Sequence, residues 1–286
     1  MSPHVSNTSI VPKLTEQAFR MLQASTQFHP HHLTANSPWP ILTANSVLAI
    51  LSSAVLWFNN ISHGGTLLAL GFATTTTVFV LWFRDVTTEG TLLGIHTKIV
   101  QRGLSMGVSL FIVTEIFFFL SIFWAYAWSS ISPTVELGSQ WPPVGVIPLS
   151  PITVPLLNTI LLVSSGATVT YAHHALFHKA RGPALLGTIL TVVLAIFFTA
   201  LQGFEYEQAG FSMPDGAFGT CFYFSTGFHG FHVIIGTIFI AVGLFRLTLY
   251  HLTSAHHMGF EASILYWHFV DAVWLLLYAM VYWWGS

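Results

Sequence analysis

GLSMGVSLFIVTEIFFFLSIFWAYAWSS, residues 103–130, carries a single charged side chain, Glu115. As a helix at 1.5 Å per residue the stretch is roughly 40 Å long, more than the ~30 Å of a bilayer's hydrocarbon core. In lipid the backbone must satisfy its own hydrogen bonds, so a stretch of this kind is a helix that crosses the membrane. Charged residues make up 6% of the 286 positions, apolar ones 53%, and the mean hydropathy is +0.70. That composition excludes an ordinary soluble domain.

Working outward and cutting at polar and Pro/Gly punctuation gives seven spans: 41–58, 66–83, 103–130, 154–177, 184–201, 217–249 and 260–284. The placement of the eight Lys and Arg residues tests that number, because basic residues in short loops collect on the side from which the chain is inserted. Lys13 and Arg20 precede the first span, Arg84, Lys98 and Arg102 follow the second, Lys179 and Arg181 follow the fourth, and Arg246 ends the sixth. With seven spans all of them fall on the side of the N-terminus. One span more or fewer in mid-chain would break the segregation. Glu136, Glu205, Glu207 and Asp215 stand on the opposite side, an acidic outer face. Cys221 is the sole cysteine, which excludes an internal disulfide and a four-Cys cluster.

Residues 1–37 read as a polar arm without the apolar core of a secretory signal. Ser37-Pro38-Trp39-Pro40 ends it and puts an indole at the membrane surface. The organisation is then a first two-helix bundle over 38–83, an inner-side loop over 84–102 and a five-helix bundle over 103–286. The loop from Ser132 to Pro155 holds Pro133, Pro142, Pro143, Pro148 and Pro151, so proline fixes its shape and it reads as a docking surface. Aromatic rings at the span ends, among them Trp124, Trp128, Trp283 and Trp284, suit the headgroup layer.

Two carboxylates lie deep in spans. An ionised carboxylate at mid-bilayer costs about 3 kcal/mol on the lenient insertion scale, so Glu115 and Asp271 need a partner or a task. For Glu115 a lipid-linked or proton-linked role stands beside a simple helix contact. For Asp271, His268 and Trp267 at i−3 and i−4 suggest a structural hydrogen bond. His229 and His232 share a helix face at a spacing that can hold metal or haem, yet further ligands at matching depth are few. A hydrogen bond to a neighbouring helix or a lipid is the favoured reading. The pairs His31-His32, His173-His174 and His256-His257 all fall on the basic side, where they suit anionic headgroups or proton buffering. Arg84, Asp85, Glu89 and His96 form a mixed-charge loop able to grip a headgroup. A seven-span proton channel using Glu115 and Asp271, and a haem-ligating enzyme using His229 and His232, are the competing classes.

Several strings carry a family likeness: SPWP (37–40), RDV (84–86), TEIFFF (114–119), SPTVELG (132–138), WPPVGV (141–146), VPLLNT (154–159), YAHH (171–174), TGFHGFHVIIGT (226–237), HHMGFEA (256–262) and YWHFVDAVWL (266–275). On these the chain resembles subunit III of the haem-copper cytochrome c oxidases from Ser37 to Ser286. The resemblance implies an all-α membrane protein of seven transmembrane helices in a V-shaped two-plus-five arrangement around a lipid-filled cleft. It implies no redox centre in this chain, with haem a, haem a3, CuA and CuB in partner subunits I and II, accessory subunits alongside, and cytochrome c reached through the complex. It implies bound phospholipids and support for proton uptake and the stability of the catalytic subunit, with no nucleic-acid partner; SPWP near the start and the compact loops favour the mitochondrial inner membrane, N-terminus on the matrix side, over a bacterial plasma membrane. Position by position, Glu115 matches the family's intramembrane carboxylate. Phe83, Glu89, His96 and His232 match positions around one lipid, and Arg246, His251, Thr253 and His256 match a second headgroup site. Phe83 stands where the family often has Trp, and Thr88 where it often has Arg.

Overall fold

The computed structural model describes residues 29–286, apart from the side chain of Leu137. Lys13, Arg20 and most of the polar arm lie outside the described residues. Every regular element among those described is helical. In chain order these are α1 (Trp39–Phe58), α2 (Gly64–Thr87) running into a widened turn at Thr88–Leu92, α3 (Lys98–Ile131), a single tight turn at Val135–Leu137, α4 (Val154–Phe177), α5 (Arg181–Gln208), α6 (Ala217–Thr248) and α7 (Met258–Leu277), which ends in a second widened turn at Tyr278–Trp283. Seven of them are long and apolar enough to cross a membrane.

The number of spans is seven, as predicted, and α1, α4, α6 and α7 with its widened turn lie within a few residues of the predicted bounds, but α2 and α5 run on past theirs and α3 begins before its own. Residues 84–87 are the last turn of α2 and not loop; Lys98 and Arg102 begin α3; Glu205 and Glu207 lie in the last turn of α5. The cause is physical. Hydropathy marks where the chain leaves hydrocarbon, whereas a helix ends where its backbone is capped or broken, and no proline interrupts 84–92 or 202–208.

The chain divides into two compact units, one up to Leu104 and one from Ser105 to Ser286. In the first, α1 and α2 form a hairpin. A Cβ on Gly64 would come within 2.6 Å of the Trp57 backbone and one on Gly71 within 3.0 Å of Ile50, so the two backbones meet where side chains are smallest. At the other end the hairpin is clasped by polar groups: the Trp39 indole donates to Asp85 Oδ2 at 2.7 Å, and Arg84 pairs with Asp85 at 2.9 Å. Ser37-Pro38-Trp39-Pro40 thus does start α1, with the indole tied to a carboxylate as well as suited to the interface.

In the second unit α4 packs against α5, α5 against α6, α6 against α7, and α7 back on α4. Gly187 of α5 lies against Thr168 and Ala172 of α4, and Gly236 of α6 lies against the Trp267 ring of α7. The part of α3 in this unit joins through rings, Phe118 against Phe228 and Phe119 against His232 and Phe269. Fully buried Trp267, Trp274, Phe198, Phe260 and Leu162 form the centre. Half of the most apolar stretch of α7 is buried, against 6% of that of α2. The large side chains that remain exposed, such as Phe72, Val80, Leu110, Phe117 and Ile196, lie on apolar helices and give them faces suited to hydrocarbon. The proline-fixed loop is anchored by Trp141, whose ring meets Tyr126 edge-on and packs on Phe218, and whose Nε1 donates to the Tyr126 hydroxyl at 3.2 Å.

Candidate functional site

Glu115 sits seventeen residues after the start of α3, about 25 Å along it. Its Oε2 is 3.0 Å from His232 Nε2 on α6, and both side chains are largely covered, with 21% and 10% exposure. His232 Nδ1 is 2.7 Å from the Phe228 carbonyl oxygen one turn back. A carbonyl can only accept, so Nδ1 carries a hydrogen and donates it. The bond between Nε2 and Oε2 then needs one further proton, held either by a carboxylic acid facing a neutral imidazole or by an imidazolium facing a carboxylate. Either way the pair is net neutral, which removes most of the cost of placing two ionisable groups at this depth. The rings of Phe119 at 5.0 Å and Tyr266, stacked at 6.3 Å, wall the imidazole.

His229 and His232 share a helix but not a site. His229 is buried between Phe198 and Trp274, its Nε2 3.3 Å from the Val270 carbonyl, while His232 turns to Glu115. Asp271 departs from expectation. His268 Nε2 bonds Thr170 at 3.1 Å and Trp267 Nε1 donates to Ser165 at 2.9 Å, so neither serves Asp271. Its carboxylate instead lies over Gly166 of α4, and Oδ1 is buried without a hydrogen-bond partner. The i−3 and i−4 donors point across to α4 because the small residues Ser165 and Gly166 let α7 approach there.

A second polar centre was misread from sequence. Glu205, assigned to an acidic outer face, is 2% exposed. Its Oε1 accepts from the Tyr282 hydroxyl and from Gln202 Nε2 at 3.2 Å, and Gln202 Oε1 accepts from Asn158 at 3.4 Å. The signal available was position: Glu205 continues the unbroken run that follows Leu201, and the C-terminal segment is rich in Tyr and Trp that can donate to a carboxylate.

On the remaining sites, Arg246 ends α6, and His251, Thr253 and His256 lie in the turn to α7. Thr253 N donates to the His256 carbonyl at 3.2 Å and His256 N to Thr253 Oγ1 at 3.1 Å, a reciprocal pair that fixes the turn. A Cβ on Gly259 would fall 2.7 Å from Arg246 Nη1, so glycine there makes room for the guanidinium. Arg181, not singled out from sequence, donates to the Thr248 carbonyl at 2.8 Å and lies 3.2 Å over the Tyr250 ring. In the first unit Phe83 is 65% exposed on α2, while Glu89 and His96 face one another with Oε2 and Nε2 3.9 Å apart. Burial and the neighbouring His32 imidazole hold His96 below the ordinary histidine range, with the Glu89 carboxylate pulling the other way.

Seven helices long and apolar enough to cross a bilayer, with large exposed apolar side chains and an intramembrane carboxyl group closed by a histidine of another helix, define a multispan integral membrane protein. Residues 29–286 match the family model described as cytochrome c oxidase subunit III. The chain is 59% identical over 265 residues to "Cytochrome c oxidase subunit 3" of Mycosarcoma maydis, covering 91% of this chain and 96% of that one. It is 57% identical to the protein of that name from Podospora anserina, over 93% and 99% of the two chains, and 52% identical to that of Scyliorhinus canicula, over 91% and 99%. The chain belongs to the cytochrome c oxidase subunit III family.

Proposed function

We propose that this chain is the subunit without a redox centre in the core of a mitochondrial cytochrome c oxidase, holding structural phospholipids and supporting proton uptake and the stability of the catalytic subunit while the complex reduces oxygen and pumps protons. The observation that carries this reading is the Glu115–His232 pair: a carboxyl group at mid-span closed by an imidazole from another helix and walled by rings, with exposed apolar side chains such as Phe117 on its own helix. A neutral pair can stand beside lipid chains where a lone charge could not. Electron transfer belongs to subunits I and II, where haem a, haem a3, CuA and CuB reside, and accessory subunits and cytochrome c are met through the complex. The inner-side basic residues favour an N-terminus on the matrix side.

Phospholipid headgroups are held at two places. Arg246 with His251, Thr253 and His256 offers cationic and neutral donors at the end of α6, fixed by the Thr253–His256 bonds. Glu89 and His96 lie at the inner end of α2, with Phe83 a turn and more below them to meet the acyl chains. Phe in place of Trp at 83 and Thr in place of Arg at 88 remove an indole N–H and a cation, which weakens headgroup binding there or suits it to a different lipid.

The test is Glu115→Ala in the assembled complex. Initial oxygen consumption is expected to stay near that of the unmodified complex, while activity is lost faster during sustained turnover. Immediate and complete loss would give Glu115 a direct part in the reaction and overturn the supporting role.

A further inference from the structure

Glu89, His96 and His32 come together at the inner end of the first unit, and their ligand atoms all lie within 4.8 Å of one another. Three separate segments build the cluster. Glu89 stands in the widened turn Thr88–Leu92, where Leu93 N bonds the Thr88 carbonyl at 2.9 Å and Ile95 N the Glu89 carbonyl at 3.2 Å. Such five-residue turns rotate side chains off the regular helical face and recur at functional sites. His96 follows in the connection to α3, held by Gln101 Nε2 on its carbonyl at 2.9 Å. His32 comes from the arm, tied down next to it by the Thr97 hydroxyl donating to the Pro30 carbonyl at 2.5 Å. The His32 and His96 rings are 5.8 Å apart, centroid to centroid.

Gly90 leaves room for the His96 ring. A Cβ there would stand 2.8 Å from His96 Nδ1, and Nε2 is the ring nitrogen that faces Glu89. At 3.9 Å the two are too far apart for a hydrogen bond. Ligands of a tetrahedral ion at about 2.0–2.1 Å are themselves about 3.3 Å apart, so small side-chain rotations would bring this pair to the spacing of two groups that share an ion. Two imidazoles with one carboxylate select borderline transition ions over magnesium or calcium, which prefer all-oxygen shells.

We propose that His32, Glu89 and His96 form a binding site for a divalent transition-metal ion, with zinc the type case, through three protein ligands and an open position for water or a phosphate oxygen. The site shares Glu89 and His96 with the first lipid site of the proposed function and so rests in part on that reading, but His32 belongs to the metal site alone.

The experiment uses the whole oxidase complex, freed of exchangeable metal by chelation and equilibrated with zinc chloride by dialysis. Wild-type complex is compared with His32→Ala, Glu89→Gln and Gly90→Ala, and zinc and phospholipid are both counted by mass spectrometry. The expected result is one exchangeable zinc per complex that is lost in His32→Ala, with affinity in Glu89→Gln falling by more than the roughly 10- to 100-fold that follows loss of an outer-shell partner. Phospholipid content should not change in His32→Ala. Equal zinc content in wild type and all three variants overturns the metal site and leaves the lipid reading untouched. Phospholipid that stays constant in Glu89→Gln, with zinc lost, overturns the first lipid site and leaves the metal site standing.

Discussion

At the scale of single residues, the pair at mid-span makes a claim that separate substitutions can check. Because Glu115 and His232 share one proton and one neutral state, removing either leaves the other alone in the same surroundings. His232→Phe is therefore expected to shorten activity during turnover about as much as Glu115→Ala. The double variant should be no worse than either single one, a non-additivity read from inactivation half-lives. Glu205 makes a different claim. Its carboxylate accepts from Tyr282 and Gln202 in a buried setting, so Tyr282→Phe should leave it under-satisfied and lower the subunit's stability by about 1–3 kcal/mol. Heating the complex and following release of this subunit measures it, and Glu205→Gln, which keeps an acceptor, should lose less than Glu205→Ala. The two carboxylates also show what a sequence makes legible. Glu115 stands out because it breaks a long apolar run, and its depth alone demands a partner. Nothing in the chain order says that the partner is His232 rather than a helix neighbour, since the pairing depends on how α3 and α6 face each other. Asp271 misled for the same reason: donors one turn away were in reach, but the packing of α7 on Gly166 and Ser165 turned them to α4.

At the scale of elements, small residues decide which helices touch. Gly187 of α5 would bring a Cβ within 2.8 Å of the Thr168 carbonyl, with Ala172 just beyond, so no rotamer change in α4 can make room. Gly187→Val is expected to part α4 from α5 and cut the amount of assembled complex severalfold, measured from haem absorbance per milligram of membrane protein. Gly103→Ala, with open space around it, should assemble normally. The ends of elements were the least legible feature. Arg84, Asp85, Lys98, Arg102, Glu205 and Glu207 all looked like loop because they are polar, yet each is helical. A helix that leaves the hydrocarbon still has every backbone bond to gain, and only the widened turn Thr88–Leu92 and the connection over 93–97, where Thr97 Oγ1 accepts from Val100 N at 3.4 Å, separate α2 from α3. The widened turn at Thr88–Leu92 left no trace in hydropathy at all. Its sole hint was Gly90, set between Glu89 and Thr91 in a polar run.

At the scale of the whole molecule, the number of spans was legible because two independent patterns agree: apolar length, and the segregation of eight basic residues to one side. Large exposed apolar faces on most helices mean that the chain is at home only among lipids and other membrane subunits. The proposed role of this chain is to work as part of a cytochrome c oxidase and to carry phospholipid into it. The direct measurement is native mass spectrometry of the complex isolated through an affinity tag on this chain. The account expects an assembly that contains the haem-bearing catalytic subunit together with phospholipid that survives detergent washing. Isolation of the chain by itself, without catalytic subunit and without lipid, would contradict it.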